Sequence, residues 1–248
     1  MTGMAVSASG LLRLWERSGT QPRVQQALML LAAACPDAPT DDLARMSVGR
    51  RDGLLLELRE HLFGSRLESL ASCPACGERL QLAFNVSDVC VKTGESLAEP
   101  QRIQVDDYEV GFRLPDSNDQ AAMAMSGNIE EGRRLLLSRC LLEVKRYGEA
   151  QPIDLVPESV LLAVSKQMAE ADPQADVQLD LSCPACGHVW SSAFDIVSYL
   201  WQEIDSWARR TLRDIHNLAA AYGWREVDIL NMSARRRQCY LEMIGGRG

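Results

Sequence analysis

The chain is short of what catalysts and nucleic-acid binders are usually built from. Only three histidines occur in its 248 residues, and 26 Lys and Arg stand against 34 Asp and Glu, a formal net charge of -8. Affinity for a phosphate backbone draws on cationic surface and counterion release, so this balance excludes a general DNA or RNA binder. No stretch approaches the roughly 20 apolar residues of a membrane-spanning helix, and no secretory signal is visible. There is no phosphate-cradling glycine loop, no Gly-x-Ser-x-Gly elbow and no His-Glu-x-x-His helix. The paired carboxylates Asp41-Asp42 and Asp106-Asp107 fall where a helix start and a turn account for them. Together these absences predict a cytoplasmic, acidic protein that is not an enzyme and has no membrane or nucleic-acid partner. Its length allows one large domain or two small ones, with ample apolar content for a core.

What is present is a phrase written twice. Ser72-Cys73-Pro74-Ala75-Cys76-Gly77 returns as Ser182-Cys183-Pro184-Ala185-Cys186-Gly187, an offset of 110 that also carries Ala83-Phe84 onto Ala193-Phe194. Cys-x-x-Cys places two sulfurs on one tight turn; Pro fixes φ at its start, and Gly accepts the backbone that follows the second sulfur. Two such knuckles supply four thiolates, the ligand set of a closed tetrahedral site. Disulfides would need an oxidising compartment, and a thioredoxin-type redox pair would open a helix in a βαβ unit, which neither copy does. The expectation is one structural zinc per chain on Cys73, Cys76, Cys183 and Cys186, although rubredoxin-like iron takes the same ligands. His188 reads as an exposed hairpin residue. Cys35, Cys90, Cys140 and Cys239 are isolated, and Cys35 and Cys140 sit in apolar helical surroundings where a thiol acts as a small hydrophobe.

Around each knuckle the apolar period changes from 3.6 to 2, as in Arg79-Leu80-Gln81-Leu82-Ala83-Phe84 and Val177-Gln178-Leu179-Asp180-Leu181. Each knuckle therefore joins two short strands, and 106 residues separate Cys76 from Cys183. The expected fold is α+β: mostly helical, with a small zinc-ribbon β module whose halves are split by a long insertion. Residues 1–66 form an N-terminal helical region, 67–85 and 176–194 the two ribbon halves, 86–175 the insertion, and 195–248 a C-terminal helical region. In the first region Pro22 opens one helix, Thr40 caps a second, and Ser47 caps a third that Gly64 closes. The insertion has a hairpin around Asp106-Asp107 and a helix started by Pro115-Asp116-Ser117-Asn118-Asp119. A further helix runs from Asn128 through Leu135, Leu136, Cys140, Leu141 and Val144 to Lys145-Arg146, and another follows Pro157.

The longest periodic segment starts after Asp195 and holds its 3- and 4-residue steps to Tyr222, where Gly223 supplies the cap. Two shorter helices follow, from Trp224 to Asn231 and from Ser233 to Ile244. Trp201, Trp207 and Trp224 read as core or as interface, and a stripe this long must be buried somewhere. With Arg235, Arg236 and Arg237 they are the candidate partner-binding residues, since an arginine cluster inside an acidic chain suits an acidic partner surface, or else simply faces solvent.

The order of several stretches resembles a known family. They are Leu14-Trp15-Glu16-Arg17, Ser47-Val48-Gly49-Arg50-Arg51-Asp52 before a Leu-rich helix, and Cys-Pro-Ala-Cys-Gly-Glu. Phe112-Arg113-Leu114-Pro115, Leu137-Ser138-Arg139-Cys140 and Ala171-Asp172-Pro173-Gln174-Ala175-Asp176 come next. Trp201-Gln202-Glu203-Ile204, His216-Asn217-Leu218-Ala219 and Tyr222-Gly223-Trp224 close the set. The chain resembles the baseplate hub assembly chaperone family of T-even-type phages, in the bacterial form found beside contractile injection system genes. The resemblance implies a non-enzymatic assembly factor that binds baseplate hub or spike proteins of a contractile particle. It also implies a cytoplasmic protein that can be incorporated into the assembled particle. The alternative from another class is a zinc-ribbon adaptor for nucleic acid or transcription machinery, which would need a basic, aromatic-studded ribbon face.

Overall fold

The computed structural model describes residues 6–91 and 100–245; residues 1–5, 92–99 and 246–248 of the expected regions lie outside the described residues. Helices and small antiparallel sheets make an α+β architecture. The chain divides into two units, one of Met1–Asp37 with Val197–Gly248 and one of Ala38–Ile196. The helices expected to form one region over residues 1–66 are therefore split between units. Helices α1 (Ala8–Ser18) and α2 (Arg23–Ala34) belong with the C-terminal helices, and those that follow belong with the ribbon.

In the second unit α3 (Thr40–Arg45) has Pro39 rather than Thr40 at its cap position. Helix α4 (Val48–Phe63) begins where Ser47 Oγ accepts the Arg50 N–H at 3.3 Å, and ends at Gly64 with φ 88°. Strands β1 (Arg66–Ser72) and β2 (Arg79–Asn85) form the first hairpin, followed by the single turn α5 (Val86–Val89). Strands β3 (Gln101–Val105) and β4 (Tyr108–Phe112) pair across Asp106-Asp107, with Asp106 at φ 50°. Helix α6 (Ser117–Met123) starts at Asp116, whose carboxylate accepts the Asn118 and Asp119 N–H groups, and α7 (Ile129–Cys140) starts at Asn128.

The helix expected to continue through Val144 stops at Cys140, and Leu141–Arg146 is strand β5. Its Leu-Leu-x-Val spacing fits either period, and pairing with β4 decides the matter, with Val110 opposite Val144. Tyr147 and Gly148, at φ 52° and 84°, then make a two-residue turn into β6 (Glu149–Ala150). The sheet runs β3-β4-β5-β6, and α8 (Glu158–Ala171) lays Val160, Val164 and Met168 into a core with Val110, Phe112, Cys140 and Val144. Strands β7 (Gln178–Ser182) and β8 (Val189–Ala193) form the second hairpin.

The first unit is completed by α9 (Ile196–Tyr222), α10 (Glu226–Leu230) and α11 (Ala234–Gly245). Helix α9 begins directly after Asp195, and Gly223 at φ 68° ends it. Its apolar stripe supplies Ala208, Ile215 and Leu218 to a cluster with Leu12 and Ile229. Trp15 of α1 donates to Asp205 Oδ1 at 2.9 Å, and Asp205 also accepts from Arg209 Nε at 2.9 Å.

Two stretches 123 residues apart in sequence are latched together in the second unit. The Asp172 carboxylate accepts the Gly49 N–H at 2.8 Å, giving the first turn of α4 an anion where its dipole favours one. Gln174 donates to the Val89 carbonyl at 3.2 Å and accepts the Val91 N–H at 2.6 Å, which ties down the exit of α5. Gly49 is required by space and not by φ, because a Cβ there would lie 2.0 Å from Asp172 Oδ1 and 2.8 Å from the Ala175 nitrogen.

A second polar knot centres on Asp119, whose side chain is fully buried. It accepts from both Nη atoms of Arg113 at 2.6 and 2.9 Å, from Arg139 Nε at 2.8 Å and from the Asp116 N–H at 3.0 Å. Burial alone would raise this carboxyl; the Arg113, Asp116 and Arg139 donors outweigh it and hold it well below the usual range. The same burial and the Asp119 charge push the Cys140 thiol up to about 12. Nearby, burial pushes the Asp52 carboxyl up to about 6 in spite of its contact with Arg51 at 2.7 Å.

Two expectations follow from these latches. Gly49→Ala should destabilise the fold by about 3 kcal/mol, since neither the carboxylate nor the backbone can yield 1 Å or more. Gly53→Ala, on the same helix with its nearest foreign atom at 4.0 Å, should instead stabilise by roughly 0.5–1 kcal/mol. Guanidinium unfolding midpoints of the two variants would separate them, and equal effects would refute the latch.

Asp119→Asn should cost about 3–5 kcal/mol near neutral pH, because it strands two guanidinium groups against a neutral amide. Asp119 has a depressed folded-state pKa, so its contribution is fully present above its unfolded value of about 3.9 and is lost as pH falls through the folded one. The stability gap between wild type and Asp119→Asn should therefore be constant above about pH 5 and shrink from about pH 4 downward. Paired urea titrations across that range check it; a gap that widens in acid would contradict the assignment.

Candidate metal centre

Each knuckle is closed by the same two backbone bonds. The Cys73 N–H donates to the Glu78 carbonyl at 2.8 Å and the Gly77 N–H to the Cys73 carbonyl at 2.9 Å. In the second copy Cys183 donates to His188 and Gly187 to Cys183, both at 2.9 Å. Gly77 and Gly187 take φ 78° and 72°, a backbone that a Cβ would strain, which accounts for the glycine in both copies of the phrase. The hairpins carry the knuckles at matching register, Ser72 opposite Arg79 and Ser182 opposite Val189.

The two knuckles face each other in a reciprocal arrangement. Cys73 Sγ lies 3.7 Å from Cys186 Sγ, and Cys76 Sγ lies 3.6 Å from Cys183 Sγ. All four sulfurs fall within 4.8 Å of one another. Four bonds of about 2.3 Å to a tetrahedral ion would set sulfur–sulfur edges of about 3.8 Å, so the cluster has the dimensions of a tetrathiolate site. The sulfurs are far too distant for disulfides, and all eight cysteines are free thiols. Cys73 and Cys183 are buried while Cys76 and Cys186 are exposed, so each knuckle offers one inner and one outer ligand.

The crowding of the sulfurs also sets the electrostatics of the cluster. Against the desolvation that raises it, the Cys76 and Ala75 N–H groups hold the Cys73 thiol at about 7. The Glu78 N–H lowers Cys76, but the crowding sulfurs of Cys186, Cys183 and Cys73 carry it to about 12. Four negative sulfurs cannot share this space unless a bound ion offsets their repulsion. These residues can hold a metal ion, and His188 is not among them: it is exposed and stacks on Trp190 at 5.9 Å.

The 110-residue offset also organises the support beneath the site. Leu80 and Trp190 are equivalent positions, and both pack with Leu82 beside Cys73 and Cys183. Phe84 and Phe194, the other equivalent pair, meet edge to face with ring centroids 5.6 Å apart. The packing roles of Leu80 and Trp190 went unread in the sequence, though the offset that aligns the cysteines aligns them as well.

The other candidate residues belong to the first unit. Trp201 is buried at 8% exposure, and Trp207 and Trp224 are half-buried in the apolar cluster of the first unit. Trp224 stacks on Tyr222 at 4.5 Å and meets Tyr240 at 4.8 Å. Arg235 and Arg236 are exposed, whereas Arg237 is buried. A helix that must bury a seven-turn stripe takes its tryptophans inward, so Trp201 offers no free surface.

Freshly purified protein should carry one transition-metal ion per chain. Cys76→Ser or Cys183→Ser should abolish it and lower the unfolding midpoint by roughly 10 °C, the equivalent of about 3 kcal/mol or more. Elemental analysis with calorimetry checks both; metal-free wild type of full stability would overturn the site.

A family model described as "T4 bacteriophage base plate protein" matches residues 4–201 of the chain. No curated protein and no solved structure matches it.

Proposed function

Because the chain belongs to the T4 bacteriophage base plate protein family, we propose that it is a non-enzymatic assembly factor, chaperone or minor component, for the baseplate hub of a phage-like contractile injection system. The match over residues 4–201 carries this reading, since it takes in both knuckles, the whole insertion and the start of α9. A part in a baseplate implies contact with other baseplate components, and hub or spike proteins are the partners proposed. The protein acts in the cytoplasm, where such particles are built, and can stay in the finished particle.

The metal proposed is a single structural zinc. Four thiolates close the coordination sphere and leave no position for water or substrate, the arrangement of structural sites. Zinc suits it because a structural site requires no change of redox state. The ion joins directly two knuckles that 106 residues separate in sequence, adding its binding free energy to the polar latches that already bring their flanking segments together. Among the described residues no other group of three or more metal-binding side chains gathers, and no helix is long and apolar enough to cross a membrane. The ribbon tips offer no cationic cluster: between the cysteines and the returning strands stand Pro74, Ala75, Glu78, Pro184, Ala185 and His188. That composition gives the nucleic-acid adaptor no support.

A strain lacking the gene should express sheath and tube proteins normally yet yield far fewer assembled baseplates, counted by electron microscopy. Wild-type numbers of contractile particles would overturn the assembly role. Iron in place of zinc on elemental analysis would overturn the choice of metal and leave the role untouched.

A further inference from the structure

In the first unit a cleft of about 570 Å³ opens between α9 and α11. Helix α9 lines it with Trp207, Arg210, Arg213, Asp214 and Asn217, and α11 adds Arg237. Residues 207, 210, 214 and 217 recur at three and four, one stripe of the helix, so the cleft is a continuous groove face. Three guanidinium groups and one carboxylate make it locally cationic in a chain whose net charge is -8.

Arg237 is the telling residue. It is only 7% exposed and gives Nη1 to the Met232 carbonyl at 2.8 Å, but its Nε has no partner. Among the described residues it is the sole buried side-chain nitrogen or oxygen so placed. A buried charged donor left unmet is costly, and such a nitrogen is ordinarily satisfied by a protein group, an ordered water or a bound ligand. Arg210 and Arg213 are exposed and have no hydrogen-bond or ion-pair partner among the described residues. The cleft also meets the N-terminus of α11 at Ala234, an end that favours negative charge.

We propose that this cleft docks an acidic segment of a protein partner. A carboxylate of that segment meets Arg237 Nε inside the cleft, further carboxylates pair with Arg210 and Arg213, and the flanking apolar atoms rest on Trp207. Guanidinium forks match carboxylates in geometry, and arginine with tryptophan is the usual make-up of an interface anchor. The volume suits a few side chains and not a duplex, and Asp214 would repel an unbroken line of phosphates. Of the three arginines singled out in the sequence only Arg237 lines the cleft, while Arg236 lies over the Tyr240 ring at 5.8 Å. That the acidic segment belongs to a baseplate component rests on the function proposed above; the chemistry of the cleft does not.

The test uses the full-length, metal-loaded protein and three fluorescent probes at about 150 mM salt. They are a peptide with a run of glutamates flanked by leucines, its glutamine counterpart, and a single-stranded oligothymidylate of equal charge. The glutamate peptide should bind, more weakly as salt rises, and the glutamine peptide should not. Arg210→Glu with Arg213→Glu, both on the surface, should weaken binding about tenfold or more with an unchanged unfolding midpoint. Arg237→Gln should weaken it as well, the surface pair carrying the test if that variant is unstable. Equal binding of both peptides, tighter binding of the oligonucleotide, indifference to charge reversal, or no binding at millimolar peptide would each overturn the proposal. A gene deletion that leaves particle numbers normal would remove the hub as partner and leave the peptide result standing.

Discussion

The constraint on which the second unit depends is the confinement of four sulfurs within 4.8 Å of one another. Two hairpins, each too small to be stable alone, share one apolar floor of Leu80, Leu82 and Trp190 and one set of ligands. Everything between Cys76 and Cys183 hangs from this junction as a closed loop. The polar latches stand at the loop's entrances. Asp172, just ahead of β7, holds the start of α4, and Gln174 holds the exit of α5, which follows β2. The segments that lead into and out of the ribbon are thus fixed to each other independently of the sulfurs. Loss of the ion would therefore loosen a site whose surroundings are still tethered.

The stretches that carried the family resemblance turn out to hold one another. Ser47 to Asp52 meets Ala171 to Asp176 through Gly49 and Asp172. Phe112 to Pro115 meets Leu137 to Cys140 through Asp119, bound to both Arg113 and Arg139. Trp15 of the first stretch donates to Asp205, shortly beyond Trp201 to Ile204. These residues pair with one another within the scaffold, and removing one partner of a buried carboxylate ringed by two arginines leaves charge uncompensated.

Much of this was legible in the sequence, and the parts that were not share a cause. Local chemistry reads well: the glycines at positive φ, the caps at Ser47, Asp116 and Asn128, and the change of period at the knuckles are all decided within a few residues. The four clustered cysteines were readable because a repeat announces itself. Non-local choices do not read. Leu141 to Arg146 fits helix or strand until β4 lies beside it, and the Tyr147-Gly148 turn was the local sign that tips it toward strand. Nothing near Gly49 says that an aspartate 123 residues away needs the space its side chain would fill. The division of the first helices between units is likewise a property of distant contacts. Arg237 looked like one of three equal charges, and only packing makes it the buried one.

The two chemically distinctive places sit in different units, the thiolate cluster in Ala38–Ile196 and the arginine cleft in the unit formed by the chain ends. They also answer to different physics. A tetrathiolate site is insensitive to salt and is undone by chelators, oxidants or protons. A cleft whose attraction is borne by exposed guanidinium groups weakens with ionic strength and does not depend on chelators or oxidants. The thiolate cluster and the arginine cleft are therefore separable in this chain. A substitution at Cys183 acts on the first, and a charge change at Arg210 or Arg213 acts on the second. The charge of the cleft can therefore change without disturbing the scaffold that the sulfurs and the polar latches hold together.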